Sequence, residues 1–308
     1  MPAPKKKSDA AVAEVQPAAF SPLSAIADPV LQRIVAELSS IRGVAAIGIG
    51  GSRSIGTAVP GSDYDVILFT VGDNDVDQEA VEACIRKLGG EWIGKQHKLL
   101  AELEIDGRKV ELFFRSIPKL AAEVEAARKG VFRRSMNALH VIGFLSTIMV
   151  SYATYVRPLW DPQGLLRQLI ASAFPYPEPL REKMISTFLT EGKLALIHAG
   201  KVRSVNDIAH LMGLYARANM SWLLVLFAVN RQYPVIDKGG RRLVASFPNI
   251  PNSFEFRTKA IFRAAAAGDL KGAIDEANRL HAEVAACSRQ QGGGAALDTP
   301  KAPGADAA

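Results

Sequence analysis

The chain is expected to be an α/β protein, with a strand-rich N-terminal half followed by an all-helical C-terminal half. Three observations carry that expectation. Two short apolar runs of strand length, Val44–Ile49 and Asp63–Thr70, are joined by a polar loop containing Gly and Pro. Two alternating runs, KLLAELEI and RKVELFF, flank Asp106-Gly107, a two-residue hairpin signal. Beyond Asp161-Pro162 the chain carries long segments of helical periodicity separated by Pro and Gly.

The elements follow in order. Residues 1–20 are rich in Ala, Pro and Lys and read as a disordered tail, as do residues 288–308. From Asp28 to Ile41, Val30, Leu31, Ile34, Val35 and Leu38 recur at helical spacing, and Gly43 stops the helix. Val44–Ile49 and Asp63–Thr70 are buried strands. Gln78–Leu88 is a helix stopped by Gly89-Gly90. In the hairpin a two-residue turn sets Ile105 opposite Arg108, Leu103 opposite Val110 and Glu102 opposite Glu111. Residues 119–150 read as helical with a break at Gly130, and Tyr155–Trp160 as a further strand. Leu165–Ala173, Pro179–Ala199, Val205–Val229 and Asn252–Ala286 are the long helical segments. The expected division is 21–162 for the strand-rich domain and 163–287 for the helical one.

Composition narrows the classes. The 308 residues are 48 % hydrophobic, enough for a sizeable core. A net charge of +6 suits a phosphate-rich ligand without demanding nucleic acid. No aromatic-basic interleaving points to single-strand stacking. Cys84 and Cys287 stand far apart and imply two reduced thiols, not a zinc site or a disulfide. Lys5-Lys6-Lys7 is not followed by the apolar core of a secretory leader. The apolar stretches Val141–Val150 and Trp222–Val229 are too short to span a bilayer. The expectation is a soluble, cytoplasmic protein with no membrane partner.

The chemistry is concentrated in AAIGIGGSRSIGTAVPGSDYDVILFT. Asp63 and Asp65 open a strand at i and i+2, so both carboxylates point to one face, roughly 6–7 Å apart along the strand. Such a pair suits hard divalent cations with oxygen ligands, Mg²⁺ foremost. The Gly50-Gly51-Ser52 turn before them offers backbone N–H groups and a hydroxyl to an anion. A dinucleotide fingerprint does not fit, because Gly48 and Gly50 are followed by Arg53 where a third Gly is required. Arg53 can grip a phosphate through its planar fork. Glu111 is a carboxylate within an apolar strand, opposite Glu102, and two directly opposed acids are unfavourable without a cation between them.

The pattern G-G-S-x(10)-D-x-D resembles the glycine-serine loop and paired aspartates of the DNA polymerase β-like nucleotidyltransferase superfamily. It is most similar to the small bacterial minimal and aminoglycoside-type members. The resemblance covers residues about 44–115. It implies a mixed sheet carrying the metals and a helical bundle closing over the nucleotide. It further implies two Mg²⁺ ions on Asp63 and Asp65, an NTP substrate, ATP by preference, and a third acid on a later strand. V-E-L-F-F-R looks like that segment, so Glu111 becomes the third metal ligand or base, with Glu102 as the fallback. LLVLFAVNRQYPVIDKGGRRL looks like the helical domain of the small-molecule enzymes, and Asn230, Tyr233 and Lys238 would lie near the nucleotide, with Lys193 as an alternative phosphate ligand. His97 and His140 read as surface or packed side chains. Arg203 and His210 match a loose helical RNase spacing that arises often by chance.

The sequence-level reading is therefore a Mg²⁺-dependent nucleotidyltransferase that moves AMP to a hydroxyl of a small molecule, releasing pyrophosphate, with nucleic acid not expected as a partner. Protein AMPylation and a catalytically silent nucleotide-binding regulator are the alternative readings.

Overall fold

The computed structural model describes residues 26–56, 58–72, 76–92, 100–136, 140–235 and 240–289. Helix α1 spans Pro29–Leu38. Asp28 caps it, its carboxylate accepting from the N–H groups of Val30 (2.9 Å) and Leu31 (3.3 Å), and Pro29 fills the first turn where no donor is needed. Strand β1 (Val44–Ile49) leads into a four-residue helix α2 (Gly51–Ser54), and β2 (Tyr64–Thr70) returns beside it. Helix α3 (Gln78–Lys87) precedes β3 (Glu91–Trp92), β4 (Leu100–Ile105) and β5 (Arg108–Ser116).

Asp106 and Gly107 take positive φ at 52° and 70°, as a primed two-residue turn requires. The expected hairpin register holds, with Glu102 opposite Glu111, Leu103 opposite Val110 and Ile105 opposite Arg108. Strand β5 then pairs parallel to β2, setting Glu111 beside Asp65. The six-stranded sheet runs β3-β4-β5-β2-β1-β8, where β8 is Arg157–Trp160 and lies antiparallel to β1.

Period-two alternation gives the sheet two faces with different neighbours. Tyr64, Val66, Leu68, Val110, Leu112 and Leu103 pack in one core cluster with Ile34, Val35, Leu38, Val81 and Ile85 of α1 and α3. Ile67 and Phe69 point the other way into a second cluster, with Phe113 packed against it, that continues without interruption into the helical half. The boundary expected at 162/163 therefore runs through one continuous core.

Residues 119–150 are not simply a broken helix. Helix α4 (Ile117–Arg128) ends at Gly130 (φ 72°), and a short hairpin of β6 (Arg134–Ser135) and β7 (Phe144–Leu145) intervenes before α5 (Ser146–Thr154). The helical half comprises α6 (Leu165–Ser172), α7 (Glu178–Ala199), α8 (Ile208–Val229), α9 (Gly240–Ala245), α10 (Phe254–Ala266) and α11 (Leu270–Arg289). The last two were expected as one segment. Gly268, at φ 89°, separates them, since a right-handed helix cannot pass through that conformation.

With its leading 3₁₀ turn, α8 gives a 25-residue stretch, Val205–Val229, long and apolar enough to cross a membrane, which the shorter expected stretch was not. Yet 61 % of its most apolar 18-residue window is buried within the molecule, and Trp222, Leu224, Leu226 and Phe227 belong to the core. Its apolarity is explained by protein packing. Cys84 and Cys287 are both free thiols.

Candidate active site

The fold brings the predicted sheet residues to one edge of one face. Glu102, Glu111 and Asp65 occupy adjacent positions across β4, β5 and β2, each neighbour about 4.8 Å away in the pairing direction. Gly50, at the end of β1, continues the row by donating its N–H to the carbonyl of Asp65 (2.7 Å). That N–H is thus engaged in strand pairing. Asp63 stands just before β2 and shares the face of Asp65 by alternation. Both aspartates and both glutamates are half-buried.

Gly51 explains why the row needs glycine behind it. Its φ is +57°, and a Cβ built there would lie 1.8 Å from Oδ2 of Asp65. The Asp65 carboxylate therefore rests directly on the Gly51 backbone, a contact that any side chain would abolish. Ser52, half-buried, follows it in α2.

Arg53 has a different setting from the phosphate contact its sequence suggested. Its Nε donates to the carbonyl of Asp63 (3.1 Å) and one terminal nitrogen donates to that of Ser62 (2.7 Å). Its guanidinium also stacks 3.8 Å over the ring of Tyr64. The Tyr64 hydroxyl donates to Asp28 (2.6 Å), and Arg108 donates to both Asp28 (3.0 Å) and Tyr64. Burial would raise the Asp28 carboxyl. The Tyr64 hydroxyl, the N–H groups of Leu31 and Val30, and Arg108 outweigh it and hold that group below its usual value. Burial first, then the bond to Asp28, raises the Tyr64 phenol. This network grips the strand between the two aspartates from the face opposite their carboxylates. Sequence reasoning passed over Tyr64, Asp28 and Arg108, though the N-cap signature of Asp28-Pro29 was present.

Further along the site face, Arg115 is largely buried. It stacks near Phe113 (5.3 Å) and Tyr152 (4.8 Å) and donates to the Phe114 carbonyl (2.9 Å). Burial lowers its pKa from the usual arginine value.

The residues expected from the helical half have structural settings. Asn230 caps α8, donating to the carbonyls of Leu226 (2.7 Å) and Asn249 (3.0 Å) and accepting from the Asn249 N–H (3.0 Å). Tyr233 is 1 % exposed, its hydroxyl donating to the Ala173 carbonyl (3.0 Å) and its ring packed on Phe174 and Tyr176. Neither offers a face to a nucleotide, because the helix end and the core have already matched their polar atoms. Lys238 and His97 lie outside the described residues. Lys193 is exposed on α7, near His281. His140 packs edge-on against Phe144 (5.4 Å). Arg203 donates to the Gly200 carbonyl at the end of α7 (2.5 Å).

The row's donors are hard carboxylate oxygens, the set that Mg²⁺ prefers. Among the described residues no three His, Cys, Asp or Glu side chains converge closely enough to form a metal site by themselves. Asp63, Asp65 and Glu111 thus offer the oxygen donors Mg²⁺ takes, without converging as a three-ligand site in this structure.

The setting is a mixed sheet with acids on one face, beside a Gly-Ser turn and backed by helices. Residues 31–129 match the family described as the nucleotidyltransferase domain. Residues 31–129 thus form a nucleotidyltransferase domain, which supports a transferase of the polymerase β-like kind. Among solved structures it is similar to a nucleotidyltransferase-like protein from Exiguobacterium sibiricum 255-15, at 9 % identity and a TM-score of 0.40, over 84 % of this chain and 76 % of that one. No curated protein matches it.

Proposed function

We propose that this protein transfers AMP from ATP to a hydroxyl group of a small molecule, releasing pyrophosphate, with Asp63, Asp65 and Glu111 as the divalent-cation ligands. One observation carries the assignment: Asp65 and Glu111 lie side by side in register, with the Asp65 carboxylate seated on a glycine that tolerates no side chain. Carboxylates on neighbouring strands can share one divalent cation. Bound Mg²⁺ would supply neutralisation of the triphosphate and of the charge that develops in transfer.

The protein's own residues do the rest by placement. Asp63 and Asp65 orient the nucleotide end of the site. Glu111 accepts the proton of the acceptor hydroxyl as that oxygen attacks the α-phosphorus. Gly51 and Ser52 bind the β- and γ-phosphates through backbone N–H groups and the hydroxyl. Arg53 and Tyr64 hold the strand so that the two aspartates keep their spacing. Positioning and charge neutralisation account for most of the acceleration in such transfers. A small acceptor is favoured because the helical half forms one core with the sheet and no RNA-binding module is evident in the sequence.

The test is a screen of the four NTPs with Mg²⁺ against hydroxylated small molecules, aminoglycosides included, read by pyrophosphate release and by product mass. An AMP adduct on a small molecule is expected. Label from ATP appearing only on a protein Tyr or Ser would replace this reading with protein AMPylation. Nucleotide binding without pyrophosphate release would make the chain a regulator.

A further inference from the structure

Away from the sheet, α8, α9 and α10 enclose an open cavity of about 480 Å³, lined in part by Asn219, Met220, Arg241, Lys259, Phe262 and Arg263. Its size falls in the range of small-molecule sites. Asn219 is 9 % exposed and faces this cavity, yet its side-chain amide forms no hydrogen bond with any described residue. Its amide is not among the fully buried polar atoms left without a partner, so it stays open to the cavity, where a bound molecule can reach it.

The cations point the same way. Arg241, Lys259 and Arg263 also line an adjoining cavity of about 540 Å³. Lys259 pairs with Glu255 (2.7 Å), which that bond, more than the nearby Arg241 and Arg242, holds below its ordinary value. Arg241 and Arg263 have no ion-pair partner among the described residues. Three cations facing one acid attract an anion and repel a polycation such as an aminoglycoside. Met220 and Phe262 supply an apolar wall beside them.

We propose that this cavity binds an organic phosphate whose body is an aromatic or heterocyclic ring. The phosphate sits among Arg241, Lys259 and Arg263, the ring lies against Phe262 and Met220, and Asn219 bonds a polar atom of the ring. The site is separate from the carboxylate row and does not depend on the reading of that row.

Fluorescence titration of the full chain with umbelliferyl phosphate tests this, in EDTA so that no divalent cation recruits phosphate to the acids. Saturable binding is expected. The exposed double variant Arg241→Glu/Arg263→Glu should bind at least about tenfold more weakly, the usual effect of removing charge-assisted hydrogen bonds. Asn219→Leu, close in shape, should bind about fivefold more weakly, as loss of one neutral hydrogen bond predicts. Asp65→Asn should bind as the wild type does. Umbelliferone, which lacks the phosphate, should not saturate. The proposal is overturned if umbelliferyl phosphate shows no saturation. Equal affinity in the double variant overturns it too, as does loss of binding in Asp65→Asn, which would put the ligand at the carboxylate row.

Discussion

Two polar clusters of this molecule answer to different physics. At the end of α8, the half-buried Asn230 and the buried Tyr233 each meet backbone partners with their side-chain oxygen or nitrogen. On one face of the sheet, Glu102, Glu111 and Asp65 stand in a row across the interior strands β4, β5 and β2. Closed hydrogen bonding stabilises a fold and leaves little for a ligand. A row of acids gathers hard oxygen donors on one face, the donor set that a divalent cation takes. The contrast separates the carboxylates proposed as the site from the helical residues whose polar atoms are already matched within the fold.

The sharpest way to break the comparison is to neutralise the row. Asp65→Asn or Asp63→Asn should lower metal-dependent pyrophosphate release by about 10³-fold or more, because several kcal/mol of transition-state charge stabilisation depends on the metal-binding acids. Circular dichroism and thermal melting should stay close to wild type, since Asn keeps the size of Asp and the side chain lies outside both core clusters. Turnover unchanged in Asp65→Asn would remove the row from the chemistry.

The two glutamates come next. Glu111→Gln should lower turnover by about 10²-fold, the ordinary range for a general base, with nucleotide affinity changed far less. Glu102→Gln, one strand further from Asp65, should change turnover by under about tenfold. The reverse order would transfer the third-acid role to Glu102.

Gly51→Val tests the seat beneath Asp65. A β-branched residue at φ +57° costs about 1–3 kcal/mol in backbone strain, and its Cβ must also displace the Asp65 carboxylate. Lower stability in urea together with weaker nucleotide binding by calorimetry is expected. Normal nucleotide binding would show that the turn is not the phosphate site. At the other cluster, Tyr233→Phe should cost about 1–2 kcal/mol of stability by leaving the Ala173 carbonyl without its donor. Its kcat and KM for nucleotide should stay at wild-type values. A raised KM would return Tyr233 to the nucleotide site.

The strands and the hairpin register were legible because period-two alternation and Asp106-Gly107 leave few alternatives. The acids were legible because carboxylates in apolar strands stand out. The helical half was less so. Asn230 and Tyr233 have residue types that serve equally as caps or ligands, and only tertiary contacts distinguish the two. The β6–β7 hairpin was hidden because two-residue strands are too short to show a period. Arg53 was read by its affinity for phosphate, whereas its fork is taken up by the carbonyls of Ser62 and Asp63, a partner choice set by loop geometry.

The smallest effect separates positioning from catalysis. Asp28 joins the cap of α1 to Tyr64 and Arg108, and so ties the aspartate-bearing strand to the helix behind it. Its pKa is lowered in the folded state. The stability it contributes is therefore fully present above the usual carboxylate value of an unfolded chain and is lost as pH falls through the lower folded value. Asp28→Asn keeps a capping oxygen but removes the charge. At neutral pH it should cost about 0.5–1 kcal/mol in urea unfolding, at the lower end of capping effects. The gap between variant and wild type should narrow below the ordinary aspartate range as the wild-type carboxyl protonates. If Asp28 acts only by position, KM for nucleotide should hold while kcat falls by under about threefold, in line with an effect of a few tenths of a kcal/mol transmitted through Tyr64. A gap in stability that persists at acid pH would mean that the charge is immaterial and that the hydrogen-bond geometry alone fixes the strand.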